Sequence, residues 1–125
     1  SKARALLRVR TVLRDGVSAL VFPEGTTSRG TEVLPFQRGI FGLAKKLKVP
    51  IVPVAIHYED PLCAWVGEDD FALHYARMAM RRELAIRLMV GEPTYVQGAS
   101  AAAIAEGFRC QIADMKRRLV EKTAI

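Results

Sequence analysis

The sequence predicts an α/β fold: a three-layer, mostly parallel sheet with flanking helices. Three observations carry that prediction. Helix-like and strand-like segments alternate in the order helix, strand, helix, strand, helix, strand, helix. Residues 49–56 are nearly all apolar and β-branched, the composition of a central parallel strand covered on both faces. Residues 17–22 form an apolar run that ends in a loop of glycines and hydroxyl residues, and in open α/β sheets ligands sit at such strand ends.

Taken in order, residues 3–14 place Ala5, Leu6, Val9, Val12 and Leu13 along one helical stripe, with most arginines off it. Asp15-Gly16 is expected to end that helix with a glycine cap. Residues 18–22 are then a short buried strand, stopped by Pro23, which has no N–H to give a ladder. A second helix over residues 36–48 buries Ile40, Leu43, Ala44 and Leu47, and Gly39 and Gly42 allow close backbone approach to it. Pro53 conflicts with the strand that contains it and implies a bulge or an unpaired edge. A polar loop, His57-Tyr58-Glu59-Asp60-Pro61, follows. Asp69 or Asp70 is placed to cap a helix reaching Arg82, with Phe71, Tyr75 and Met78 inward. Residues 84–90 alternate, with Leu84, Ile86, Leu88 and Val90 on one face and Arg87 on the other. Ser100 caps the last helix, whose stripe is Ile104, Phe108, Ile112, Met115 and Leu119.

At 125 residues the chain is one domain. No apolar run approaches the roughly 18 residues of a membrane-spanning helix. Cys63 and Cys110 show no metal-ligand or Cys-x-x-Cys spacing, so free buried thiols in a reducing compartment are expected rather than a metal site or disulfide. The net charge of +6 is unevenly spread: Lys2, Arg4, Arg8, Arg10 and Arg14 come before any acid. Lys45, Lys46 and Lys48 form a second group, and Lys116, Arg117, Arg118 and Lys122 a third. Such surfaces suit phospholipid head groups, coenzyme phosphates or an acidic carrier protein. Solvation of helix faces is the alternative explanation, and is the expected role of the third group. No aromatic residues interleave the basic stretches as stacking platforms, so nucleic acid is not an expected partner.

The chemistry concentrates in Phe22-Pro23-Glu24-Gly25-Thr26-Thr27-Ser28-Arg29-Gly30, which leads into Leu34-Pro35-Phe36-Gln37-Arg38-Gly39. Backbone N–H groups, hydroxyls and Arg29 in such a loop suit a phosphate. A solvated turn has the same composition. Gly25-Thr26-Thr27-Ser28 is not a nucleophile elbow, and nothing in the sequence activates Cys63 beside His57. His57 is expected to be a loop hydrogen-bonding residue, and His74 a partly buried helix residue.

The stretch resembles the conserved blocks of the glycerophospholipid acyltransferase family, which includes the 1-acylglycerol-3-phosphate acyltransferases. One family block reads Phe-Pro-Glu-Gly-Thr-Arg-Ser, and residues 22–28 match it except that Thr27 replaces the arginine. Val49-Pro50-Ile51-Val52-Pro53-Val54 matches a second, proline-containing block, and Leu34 to Gly39 followed by Ala44-Lys45-Lys46 resembles the segment between them. Looser similarity extends through Ala64-Trp65-Val66-Gly67 and Val90-Gly91-Glu92-Pro93.

The resemblance implies a glycerolphosphate acyltransferase-like sheet and acyl transfer from acyl-CoA or acyl-carrier protein to the hydroxyl of a lysophospholipid. That reaction uses the donor as co-substrate and no cofactor or metal. The resemblance also implies work at a membrane surface, on the cytoplasmic face of a bacterial inner membrane. Residues 24–29 (Glu24, Gly25, Thr26, Thr27, Ser28 and Arg29) would bind the acceptor, joined by Arg38 and by Pro53, which in the family closes a ligand-facing wall. Glu24 is expected to organise the loop rather than touch a phosphate, since a carboxylate would repel it. The arginine that Thr27 replaces is associated in the family with acceptor phosphate. Either Arg29 substitutes for it or the acceptor is not a simple phosphomonoester.

Family members also carry a His-x-x-x-x-Asp motif whose histidine deprotonates the acceptor hydroxyl. Here only His57 and His74 occur, and Leu62 and Ala79 stand five positions after them. The expectation is that these residues are the C-terminal part of one acyltransferase domain, lacking the dyad and inactive alone. A lipid- or phosphate-binding module that never had a dyad is the alternative.

Overall fold

The computed structural model describes residues 2–25, 32–59 and 85–123. In order these form α1 (Lys2–Arg14), α2 (Gly39–Leu47), β1 (Val54–Tyr58), β2 (Ile86–Val90) and α3 (Ala101–Thr123), an α/β arrangement. The helix expected between Asp69 and Arg82 lies outside the described residues, as do Cys63, Trp65 and His74. Cys110, expected to be buried, is a free thiol on the exposed side of α3.

α1 ends where its sequence signals. The Gly16 N–H donates to the Leu13 carbonyl at 3.1 Å and the Val17 N–H to the Val12 carbonyl at 2.9 Å. These two bonds satisfy the last carbonyls of the helix. α3 begins as expected at Ser100, whose Oγ accepts the Ala103 N–H at 3.1 Å. α2 is shorter than expected, with Arg38 at its N-cap.

Two clusters line α3. Ile104, Ala105 and Phe108 pack with Phe41, and Phe36, Ile40 and Ile51 close around them. The Phe41 ring stacks between Phe36, 5.9 Å away, and Phe108, 5.7 Å away. Further along, Met115 and Leu119 bury Ala55 with help from Met89 and Ile112. The α3 stripe is therefore the expected one. α2 departs from its expected face: Phe41 and Ala44 are its buried residues, while Ile40, Leu43 and Leu47 are half-buried. The reason is that α2 lies between α1 and α3 and turns its aromatic residue toward the larger partner.

β1 and β2 pair antiparallel, from Val54 opposite Val90 to Tyr58 opposite Ile86. The strand at residues 49–56 was expected to be parallel and covered on both faces; its pairing with β2 is of the other kind. Only one face of this ladder is covered by α3. Ala55 and Met89 point to the helix, whereas Ile86, Leu88 and Val90 form the exposed face. Over residues 86–90 the expected alternation is present, but its aliphatic row is the open one, because Met89 is the residue that meets α3.

Pro53 sits at a break in register. Ile51 bridges Thr94, so Val52 and Pro53 lie opposite Gly91, Glu92 and Pro93, one residue more, before the ladder resumes at Val54 and Val90. This is the bulge that Pro53 implied. The Gly91 N–H donates to the Pro53 carbonyl at 2.8 Å. A Cβ at Gly91 would lie 2.7 Å from the Pro53 ring, so only glycine fits this approach.

Residues 17–22 correct another expectation. They form neither helix nor strand, have no ladder partner among the described residues, and Leu20 and Phe22 are exposed. A strand is held by its neighbours' hydrogen bonds, and the described part of the chain supplies none here.

Candidate functional site

The loop after Phe22 is closed by three hydrogen bonds at its base. The Gly25 N–H donates to the Phe22 carbonyl at 3.2 Å, which makes a tight turn over Pro23 and Glu24. The Gln37 N–H donates to the Pro23 carbonyl at 2.8 Å, tying the return of the loop to its start. Between them, one Glu24 carboxylate oxygen accepts the Leu34 N–H at 2.7 Å. A bond from a backbone N–H to an ionised carboxylate is stronger than a neutral one. Glu24 thus holds the two sides of the loop together, ten residues apart.

Gly25 has φ +71°, and a Cβ there would also meet the Gln37 side-chain amide at 2.1 Å. The positive φ is what favours glycine here, whereas the Gln37 amide, the end of a flexible side chain, would have to swing aside for a Cβ. Gln37 consequently lies over the turn, and Arg38 follows it, exposed, at the N-cap of α2. Arg38 is thus placed one residue from the closed neck of the loop. Thr26, Thr27, Ser28 and Arg29 lie outside the described residues. Pro53 is fully enclosed and acts through the bulge against Gly91, offering no surface to a ligand.

A residue that the sequence reading assigned to helix solvation belongs beside this loop. Lys116 of α3 is half-buried. Burial pushes its ammonium below the usual lysine value, and the Glu24 carboxylate acts in the opposite direction. The signal for this in the sequence was slight: Lys116 directly follows Met115 of the buried stripe, so it lies at the edge of that face.

At the other end of the ladder, the Arg87 Nε donates to Glu59 at 2.5 Å, and Arg87 stands opposite His57 in register. Among the described residues no group of three or more His, Cys, Asp or Glu is placed to hold a metal ion. No described helix is long and apolar enough to cross a membrane.

Residues 1–57 match the acyltransferase family model. A lyso-ornithine lipid O-acyltransferase of Pseudomonas aeruginosa is 30% identical over 103 residues, covering 78% of this chain and 40% of the relative. The chain belongs to the acyltransferase family. The human 1-acyl-sn-glycerol-3-phosphate acyltransferase alpha is 46% identical over 55 residues, 43% of this chain and 19% of that protein. A lyso-ornithine lipid O-acyltransferase of Brucella abortus is 30% identical over 99 residues, 65% of the chain and 37% of the relative. The chain therefore spans two-fifths or less of each of these relatives. No solved structure matches it.

Proposed function

We infer that the protein containing these residues acylates the free hydroxyl of a lysolipid and that the loop after Phe22 grips the acceptor. In the reaction, a base removes the hydroxyl proton and the oxygen attacks the thioester carbonyl of acyl-CoA or an acyl-carrier protein. The tetrahedral intermediate then expels the thiolate, which takes up a proton. The base belongs to a His-x-x-x-x-Asp segment outside these 125 residues, so the chain alone is inactive. Its share of the work is positioning: Gly25, Thr26, Thr27, Ser28, Arg29 and Arg38 on the head group, with Glu24 fixing the loop. The whole domain is a three-layer, mostly parallel sheet, of which β1 and β2 form an antiparallel part.

The observation that carries this reading is the Glu24–Leu34 closure inside the segment matched by the family model. The acceptor is of the lyso-ornithine lipid kind rather than 1-acylglycerol-3-phosphate. Thr27 stands where the family's phosphate-associated arginine would, and the similarity to the Pseudomonas enzyme runs over more of the chain than the similarity to the human one.

The test uses the full-length protein with labelled acyl-CoA and both lysolipids. Glu24→Ala is expected to lower kcat/KM on the order of a hundredfold, because a loosened loop misplaces the acceptor. Unchanged turnover in Glu24→Ala would remove the loop from the mechanism. Preference for 1-acylglycerol-3-phosphate would overturn the acceptor assignment.

A further inference from the structure

We propose that Lys116 and Glu24 form a two-charge site for a zwitterionic amino-acid head group. The Lys116 ammonium takes the head group's carboxylate, and the Glu24 carboxylate takes its ammonium. The inference rests on the proposed acylation of a lysolipid and names two groups that recognise the acceptor.

Lys116 differs from the other cations of α3. It lies four residues after Ile112 on one row of the helix, at the edge of the face that buries Met115 and Leu119. Arg109, Arg117 and Arg118 are each ion-paired with an acid of α3, and Lys122 is exposed. Lys116 is half-buried, with neither an ion pair nor a hydrogen bond among the described residues. A cation withdrawn from water without a bonded partner costs folding energy, which an incoming anion offsets.

Glu24 supplies the second charge. The neck of its loop is held toward α3 through Phe36, which stacks on Phe41 as Phe41 stacks on Phe108. The Gln37 N–H, on the Pro23 carbonyl, carries that anchorage to the residue before Glu24. The Glu24 carboxylate is near enough to act on the Lys116 ammonium, yet no ion pair joins them. Its Oε2 accepts the Leu34 N–H, and its Oε1 accepts no bond from a described residue. A carboxylate has lone pairs for several donors, so closing the loop leaves Oε1 for a ligand.

An acid and a cation held apart across one site are complementary to a ligand that carries both charges. A phosphomonoester brings only negative charge, which Glu24 repels. Ornithine brings a carboxylate and a side-chain ammonium, one for each group.

The test is calorimetric binding of Nα-acetylornithine to the full-length protein, beside Nα-acetylnorvaline, which lacks the ammonium, and inorganic phosphate. Nα-acetylornithine is expected to bind at least about tenfold more tightly than either. Lys116→Met should lose about tenfold or more of that binding. Lys116→Arg should keep most of it, and Lys122→Met all of it. Glu24→Gln keeps an oxygen for the Leu34 N–H and removes the charge; it should bring Nα-acetylornithine down to the level of Nα-acetylnorvaline. In turnover of lyso-ornithine lipid, Lys116→Met and Glu24→Gln should raise KM and leave kcat nearly unchanged. If Lys116→Met does not fold, Lys116→Gln gives the same reading. Equal or undetectable binding of the three probes overturns the proposal. So does phosphate binding that Lys116→Met abolishes and Glu24→Gln strengthens, which would assign Lys116 to a phosphate acceptor. Turnover indifferent to both variants would keep the enzyme and lose the site. Selective binding of Nα-acetylornithine by a protein that acylates neither lysolipid would keep the site and lose the enzyme.

Discussion

α1 and α3 are both amphipathic helices with an aliphatic stripe, yet they relate to the rest of the molecule in opposite ways. α3 buries Ile104, Ala105, Phe108, Met115 and Leu119, whereas α1 buries no residue. Their charges divide in the same sense. Arg109 hydrogen-bonds Glu106 and holds that carboxyl below the usual glutamate range, while the arginines of α1 have no acid in their own helix. A stripe therefore marks a face suited to burial, but the partner that covers it decides how much stability it gives. Among the described elements, α3 meets α2 and the ladder together, and α1 packs on α2.

The sharpest way to break this contrast is to remove one apolar side chain from each helix. Phe108→Ala deletes the ring stacked on Phe41 and should cost about 3–5 kcal/mol in urea unfolding. Leu7→Ala, on the open side of α1, should stay within about 0.5 kcal/mol. Similar losses in both would mean that α1 is as firmly packed as α3. Next in size is Gly91→Ala, which drives a methyl group into the Pro53 ring at the bulge beneath α3. A loss of about 1–3 kcal/mol in the same measurement is expected. Ser100→Ala removes the acceptor of the Ala103 N–H and should cost about 1 kcal/mol, read as a lowered thermal midpoint.

The smallest effect is a pH dependence that sharpens the role of α3 beside the loop. Lys116 is depressed below its ordinary value of 10.5 mainly by burial, against the pull of Glu24. Its charge is therefore a cost in the folded state at neutral pH. That cost is relieved as pH rises toward 10.5, because over this window the unfolded chain holds the proton more firmly. The unfolding free energy of the native chain should accordingly gain on that of Lys116→Met between pH 8 and 10.5. A native chain that loses ground to the variant over this window would show the Glu24 attraction to outweigh burial.

The helix ends were legible because their chemistry is local. Ser100 can reach Ala103, and the Gly16 cap can form, whatever else the chain does. The bulge at Pro53 was legible for the same reason, since a missing N–H interrupts any ladder. Phe41 was missed because its neighbours in sequence fit an aliphatic stripe as well as its neighbours in space fit a stacked one. The open face of Ile86, Leu88 and Val90 was missed because alternation gives two faces without saying which one a helix will cover. At the candidate site, Glu24 and Gly25 could be read from the run after Phe22. Lys116 could not, as it lies some ninety residues further along the chain.

By itself, the sequence determined the places where the backbone must turn, cap or break, along with the family to which the loop belongs. These depend on groups a few bonds apart, so no distant contact is needed to specify them. Tertiary structure decided which stripe is buried, that β1 and β2 run antiparallel, and that a lysine of α3 comes beside the Glu24 loop. Those outcomes depend on which surfaces compete for the same apolar area, and that competition is settled only when the elements meet.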